Sequence, residues 1–132
     1  MKRSTDHHQA AQRVRWERMH AAIRCGLYPE QPALIRVYLG LGCWLVRQGQ
    51  LDAQAANQSM LNLLLGTARD EALPWFWRSV CLEHATRPLA RLTTQLKRQE
   101  PAALHLVHDT VGSLQAGLAA VSPGRATGQL AT

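Results

Sequence analysis

Apolar residues recur three and four positions apart along nearly the whole chain, with proline or glycine where the pattern breaks. That is the period of helices, not strands. In residues 5–26, Trp16, Met19 and Ile23 form one stripe, while Arg13, Glu17 and Arg24 lie on a more polar side. Thr5 or Asp6 offers an N-cap and Gly26 a stop. A second helix enters at Pro32 and stops at Gly49. Leu34, Val37, Leu41 and Leu45 make its stripe, with Tyr38, Trp44 and Val46 widening it, and Trp44 is expected in the core. Gly40 and Gly42 inside it cost about 1 kcal/mol each relative to alanine, which close approach of another helix would offset.

Asp52 is the N-cap expected for a third helix running to about residue 68, with Ala53, Ala56, Met60, Leu63 and Leu64 facing the core. A fourth helix begins at Pro74, which suits a first turn because its missing N–H has no intrahelical partner. Pro88 either kinks that helix or starts another, whose stripe is Leu89, Leu92 and Leu96. Pro101 opens the last helix. Leu104, Val107, Val111, Leu114, Leu118 and Val121 alternate in three-four spacing. The seam is short for a coiled coil, so packing inside the bundle is the expected use. The fold class is therefore all-α, a compact bundle of five or six helices. Residues 1–121 form a single domain and residues 122–132, small, polar and broken by Pro and Gly, a disordered tail.

Composition supports this picture. Ala, Leu, Gln and Arg abound and β-branched residues are sparse, a mix that favours helix over sheet. At 132 residues the chain is long enough for a real core. No apolar run is long enough to span a bilayer, and residues 1–18 lack the apolar stretch of a signal peptide, so no membrane partner is expected.

The net charge is +6, and 13 of the 15 basic residues are arginine. Lys2, Arg3, Arg13, Arg15, Arg18 and Arg24 crowd the first 24 residues against Asp6 and Glu17. Such a segment attracts nucleic acid, anionic lipid or an acidic protein, or is simply a solvated helix surface. The three cysteines, Cys25, Cys43 and Cys81, are odd in number and widely spaced. Reduced thiols in the cytoplasm, each packed as a small apolar residue, are expected rather than a disulfide framework.

The stretch 70–88, DEALPWFWRSVCLEHATRP, is the most distinctive. Trp75 and Trp77 project about 200° apart on a helix, so they cannot share a face. Trp77, Cys81 and His84 fall on one side, Trp75, Ser79 and Leu82 on another, and Phe76 and Val80 fill the gap. Tryptophan is rarely buried completely and is enriched where binding energy concentrates. One of the two indoles is therefore expected to be partly accessible and to border Arg78 or Arg87.

The order of these residues resembles the FagA family, small bacterial proteins encoded beside genes for an iron-independent fumarase and a manganese superoxide dismutase. The matching residues are Leu73-Pro74-Trp75, Trp77-Arg78, Cys81-Leu82 and Arg87-Pro88-Leu89. Upstream they are Trp16, Ile23-Arg24-Cys25, Leu27, Pro29, Pro32, Leu34-Ile35 and Tyr38-Leu39. Phe76 stands where the family has a polar residue. The resemblance covers roughly residues 16–89 and implies a role in the response to iron limitation or oxidative stress. It implies no reaction.

Candidate chemistry is thin. Glu17-x-x-His20 has the spacing of one di-iron helix, but no second such pair exists. Cys81 and His84 share a helix face that Cys25 could approach, and His105-x-x-His108 with Asp109 is another pair. Neither set reaches the four ligands zinc usually takes. A catalytic cysteine needs a base and an oxyanion hole, and nothing near Cys81 supplies the latter. The expectation is a non-catalytic accessory protein with no cofactor and no metal, acting through an unknown protein partner. The contact residues would be Trp75, Trp77, Arg78 and Arg87, with Trp16 and Arg24. The alternatives are a metal-binding or metal-sensing protein using Cys25, Cys81 and His84, and nucleic-acid binding through the basic first helix. A homodimer is compatible with every one of these readings.

Overall fold

Six α-helices follow one another in the computed structural model: α1 (Lys2–Arg24), α2 (Ala33–Arg47), α3 (Ala53–Arg69), α4 (Trp75–His84), α5 (Thr86–Gln99) and α6 (Pro101–Ala120). The structure describes residues 2–122, and among them there is no strand. The expected tail lies, from residue 123 on, outside the described residues. None of the described helices is long and apolar enough to cross a membrane.

Local signals set the helix ends. The Asp52 carboxylate accepts from the Ala55 N–H at 2.9 Å and caps α3 as the sequence implies. α1 and α2 close in the same way, on glycines with φ of 59° (Gly26) and 75° (Gly49). At the end of α1, the Gly26 N–H reaches the Ile23 carbonyl and the Leu27 N–H reaches Ala22. At the end of α2, Gly49 reaches Val46 and Gln50 reaches Leu45. These paired bonds satisfy carbonyls that the helix leaves free, and only a residue at ease in the left-handed region closes them cheaply. α1 begins a few residues earlier than Thr5. Pro74 stands just before α4 as its N-cap rather than inside its first turn. Pro88 falls in the first turn of α5, so the chain turns at Ala85 and begins a separate helix there.

α3 is the hub and packs against all five other helices. Ala56, Met60, Leu63 and Leu64 are buried on it, and Leu89, Leu92 and Leu96 of α5 are buried against the same core. α6 keeps Val111 and Leu118 inside, with Val107 and Leu114 half-buried. Val121, at the end of the expected seam, is exposed.

α2 corrects the sequence reading. Its buried side is Ile35, Tyr38, Leu39, Gly42 and Leu45. Val37 is exposed, while Leu34, Leu41 and Trp44 are only partly buried. The helix is apolar almost all round, so periodicity alone does not fix which side faces inward. The contact with α1 does. The Trp16 ring stacks on Tyr38 with centroids 5.3 Å apart and planes 5° from parallel. A Cβ at position 42 would lie 2.8 Å from both Trp16 Nε1 and Met60 Sδ. Gly42 is therefore the close-approach glycine, whereas Gly40 points into open space.

The two glycines should respond with opposite signs. Gly40→Ala is expected to raise stability by about 0.5–1 kcal/mol through helix propensity alone. Gly42→Val is expected to lower it by about 1–3 kcal/mol through overpacking. Denaturant midpoints that move in the same direction for both variants would contradict this placement.

Candidate functional site

The tryptophan helix is built around three hydrogen bonds, each to the last turn of a different helix. The Trp77 Nε1–H donates to the Ile23 carbonyl of α1 at 3.0 Å. The Arg78 Nε–H donates to the Ala68 carbonyl of α3 at 2.8 Å. The Trp75 Nε1–H donates to the Leu118 carbonyl of α6 at 2.9 Å. The last carbonyls of a helix have no partner within it and carry the negative end of its dipole. About one helical turn, Trp75-Phe76-Trp77-Arg78, thus gathers the C-terminal ends of three helices. The roughly 200° between the two indoles is what allows them to serve opposite neighbours.

A second tie joins the same region. Arg24, in the last turn of α1, forms an ion pair with Asp70 at 2.8 Å. The Arg24 hydrogen bond, then the Ala72 N–H on the same carboxylate, hold the Asp70 carboxyl below its ordinary range.

The six expected contact residues divide. Trp77 is fully buried and Trp16 is 7% exposed, so neither presents a surface; this corrects their assignment to a contact face. Gly42 lets α2 close over Trp16, and Trp77 lies against Gly26 with its N–H on the Ile23 carbonyl. Arg78 is half-buried and engaged with Ala68, Arg24 is engaged with Asp70, and Arg87 is exposed.

Trp75 is half-buried and lines a groove of about 750 Å³ between α4 and α6. Ser79 and Leu82 line it too, on the side of the helix where the sequence puts them with Trp75. Leu118 and Ala119 form the opposite wall, and Glu83, Thr86 and Gln115 supply polar groups. Neither Arg78 nor Arg87 lines this groove, contrary to expectation. Arg78 faces the adjoining one, which shares Leu118. The α6 contribution was missed because it lies more than 30 residues away. Its only signal is Leu118 in the three-four seam.

The chemical candidates come apart. Cys81 is fully buried, and burial pushes its thiol up to about 12, so it is protonated and inert as a nucleophile at neutral pH. Cys25 is exposed rather than packed, and Cys43 is intermediate. His84 is partly buried. Burial first, then Arg87, lowers its pKa. Glu17 pairs with Arg13 at 3.7 Å, and His20 Nδ1 lies 2.9 Å from the Tyr38 hydroxyl. Among the described residues no three His, Cys, Asp or Glu side chains gather as metal ligands. On α1, Arg15 and Arg18 remain exposed, while Arg13 and Arg24 are engaged in ion pairs.

Comparisons with protein-family models, with curated proteins and with solved structures found no match to this chain.

Proposed function

We propose that this chain is a non-catalytic accessory protein that binds a protein partner through the groove between α4 and α6. The observation that carries the reading is the half-buried Trp75, whose indole nitrogen is fixed on Leu118 while the side chain lines an open groove of about 750 Å³. A tryptophan held in place by its own hydrogen bond, set among Leu82 and Leu118 and rimmed by polar groups, has the character of a binding hot spot. Being pre-ordered, it loses little freedom when a partner docks. Arg87, next in the chain to the groove residue Thr86, is exposed and available to an acidic group. The resemblance to the FagA family supports a cytoplasmic setting and a link to iron limitation or oxidative stress.

The test is capture of a partner from iron-starved cells by the tagged full chain. Trp75→Ala is expected to lower capture by more than about tenfold, the scale of a hot-spot loss. Phe76→Ala, a neighbour outside the groove, should leave it unchanged. Equal capture by the folded Trp75→Ala protein would remove the groove from the reading.

A further inference from the structure

A second cavity, of about 460 Å³, lies among α2, α3 and α5 and shares no residue with the Trp75 groove. Arg47 and Arg91 both line it, and no acidic residue does. Among the described residues neither guanidinium makes an ion pair. Two unpaired like charges beside one cavity favour an anion between them, and guanidinium suits carboxylate and phosphate geometry.

The inner wall adds an independent observation. Asn57, only 5% exposed, stands in the second turn of α3 and lines the cavity. Its amide nitrogen donates to the Ala53 carbonyl at 2.9 Å, which fixes the amide and leaves Oδ1 without a partner. Gln95 Oε1, from α5, is likewise buried and unpartnered at the same cavity. Asparagine is a poor helix former, and a buried acceptor without a donor is costly. Packing alone would be served better by an apolar residue. Val46 and Met60 give the cavity an apolar side.

We propose that this cavity binds a small organic anion that carries a hydroxyl or amino group. Arg47 and Arg91 hold the anionic end. The side-chain carbonyl oxygens of Asn57 and Gln95 accept from the donor end, and Val46 and Met60 contact the carbon body. Size agrees, since the cavity lies within the range usual for small-ligand sites. The site is separate from the partner groove, and its failure would leave the reading of that groove untouched.

Cys43 also lines the cavity and supplies a reporter. In a full-length Cys25→Ser variant, Cys43 is the thiol open to iodoacetamide, because Cys81 is buried and protonated. The probes are glycerol 3-phosphate and inorganic phosphate at constant ionic strength. Glycerol 3-phosphate should slow alkylation of Cys43 saturably, with half-protection at about tenfold lower concentration than phosphate. Arg47→Ala or Arg91→Ala, at exposed positions that leave the bundle folded, should raise that concentration by about tenfold. Gln95→Met, close in shape and lacking the acceptor, should bring glycerol 3-phosphate to the level of phosphate. No saturable protection, or protection that survives replacement of both arginines, would overturn the proposal. Equal protection by phosphate and glycerol 3-phosphate in the parent protein would also overturn it, since only a general anion effect would remain.

Discussion

Trp77→Ala is expected to destabilise the protein by about 3–5 kcal/mol, as for other large buried aromatics. That is a large share of the roughly 5–15 kcal/mol typical of a domain. The side chain is fully buried and its ring packs beside Gly26. Truncation leaves a cavity at the meeting point of α1, α3 and α4. It also removes the indole donor from Ile23, although the Gly26 N–H still reaches that carbonyl. Two neighbours give the comparison. Phe76 is 55% exposed, so Phe76→Ala should change stability by less than about 0.5 kcal/mol. Trp75→Ala should fall between them, because that indole is only partly covered. Denaturant unfolding of the three variants measures the order directly. A loss at Trp75 as large as at Trp77 would mean that both indoles are structural, and the groove would lose its claim as a contact surface.

The pair of tryptophans also shows how far the sequence carries the fold. Two indoles two residues apart on a helix must point to different sides, and Ser79 and Leu82 must follow Trp75. Which side faces inward was not legible, because the choice depends on groups far away in the chain. The Ile23 carbonyl at the end of α1 accepts the Trp77 N–H, and Gly26, against which the ring lies, leaves room for Leu73. α5 was read correctly because Leu89, Leu92 and Leu96 fall on one side and its polar residues on the other. α3 buries Ala56, Met60, Leu63 and Leu64 as read, but leaves Ala53 only partly buried and also buries Asn57, Leu61, Leu65 and Thr67, because it packs against all five other helices. α2 was misread because Leu34, Ile35, Val37, Tyr38, Leu39 and Leu41 surround the axis. Its orientation is decided by Gly42 under Trp16, a tertiary contact. The cavity of Arg47, Asn57 and Arg91 had no sequence signal at all. Its residues come from three helices, each looks like an ordinary surface or capping choice, and only their convergence gives them chemical meaning.

Stability should also fall steeply in alkali, through two buried acids that the folded chain keeps protonated. Burial pushes the Cys81 thiol from 9.0 up to about 12 and raises the Tyr38 hydroxyl above its ordinary 10.0. In both cases the unfolded chain releases its proton first. Between the unfolded and folded pKa values the unfolded state therefore binds fewer protons, and stability decreases as pH rises. Well below pH 9.0 both groups are protonated in either state, and neither contributes a pH dependence. Above 9.0 Cys81 begins to favour unfolding, and above 10.0 Tyr38 joins it. Each group can contribute up to about 1.4 kcal/mol per pH unit within its window. The stability measured by urea unfolding should be similar at about pH 7 and about pH 8, then drop by about pH 10.5 to 11 on the order of 2–4 kcal/mol. Tyr38→Phe keeps a ring to stack on Trp16 and loses only the hydroxyl shared with His20. Cys81→Ala removes the thiol. Each variant starts from a lower stability at neutral pH, but its alkaline slope should be shallower, and the double variant's shallowest of all. A slope unchanged in the double variant would mean that these two groups are not what the folded core keeps protonated, and that the Trp16–Tyr38 contact and the Trp77–Cys81 side of α4 are more open than the packing of this bundle requires.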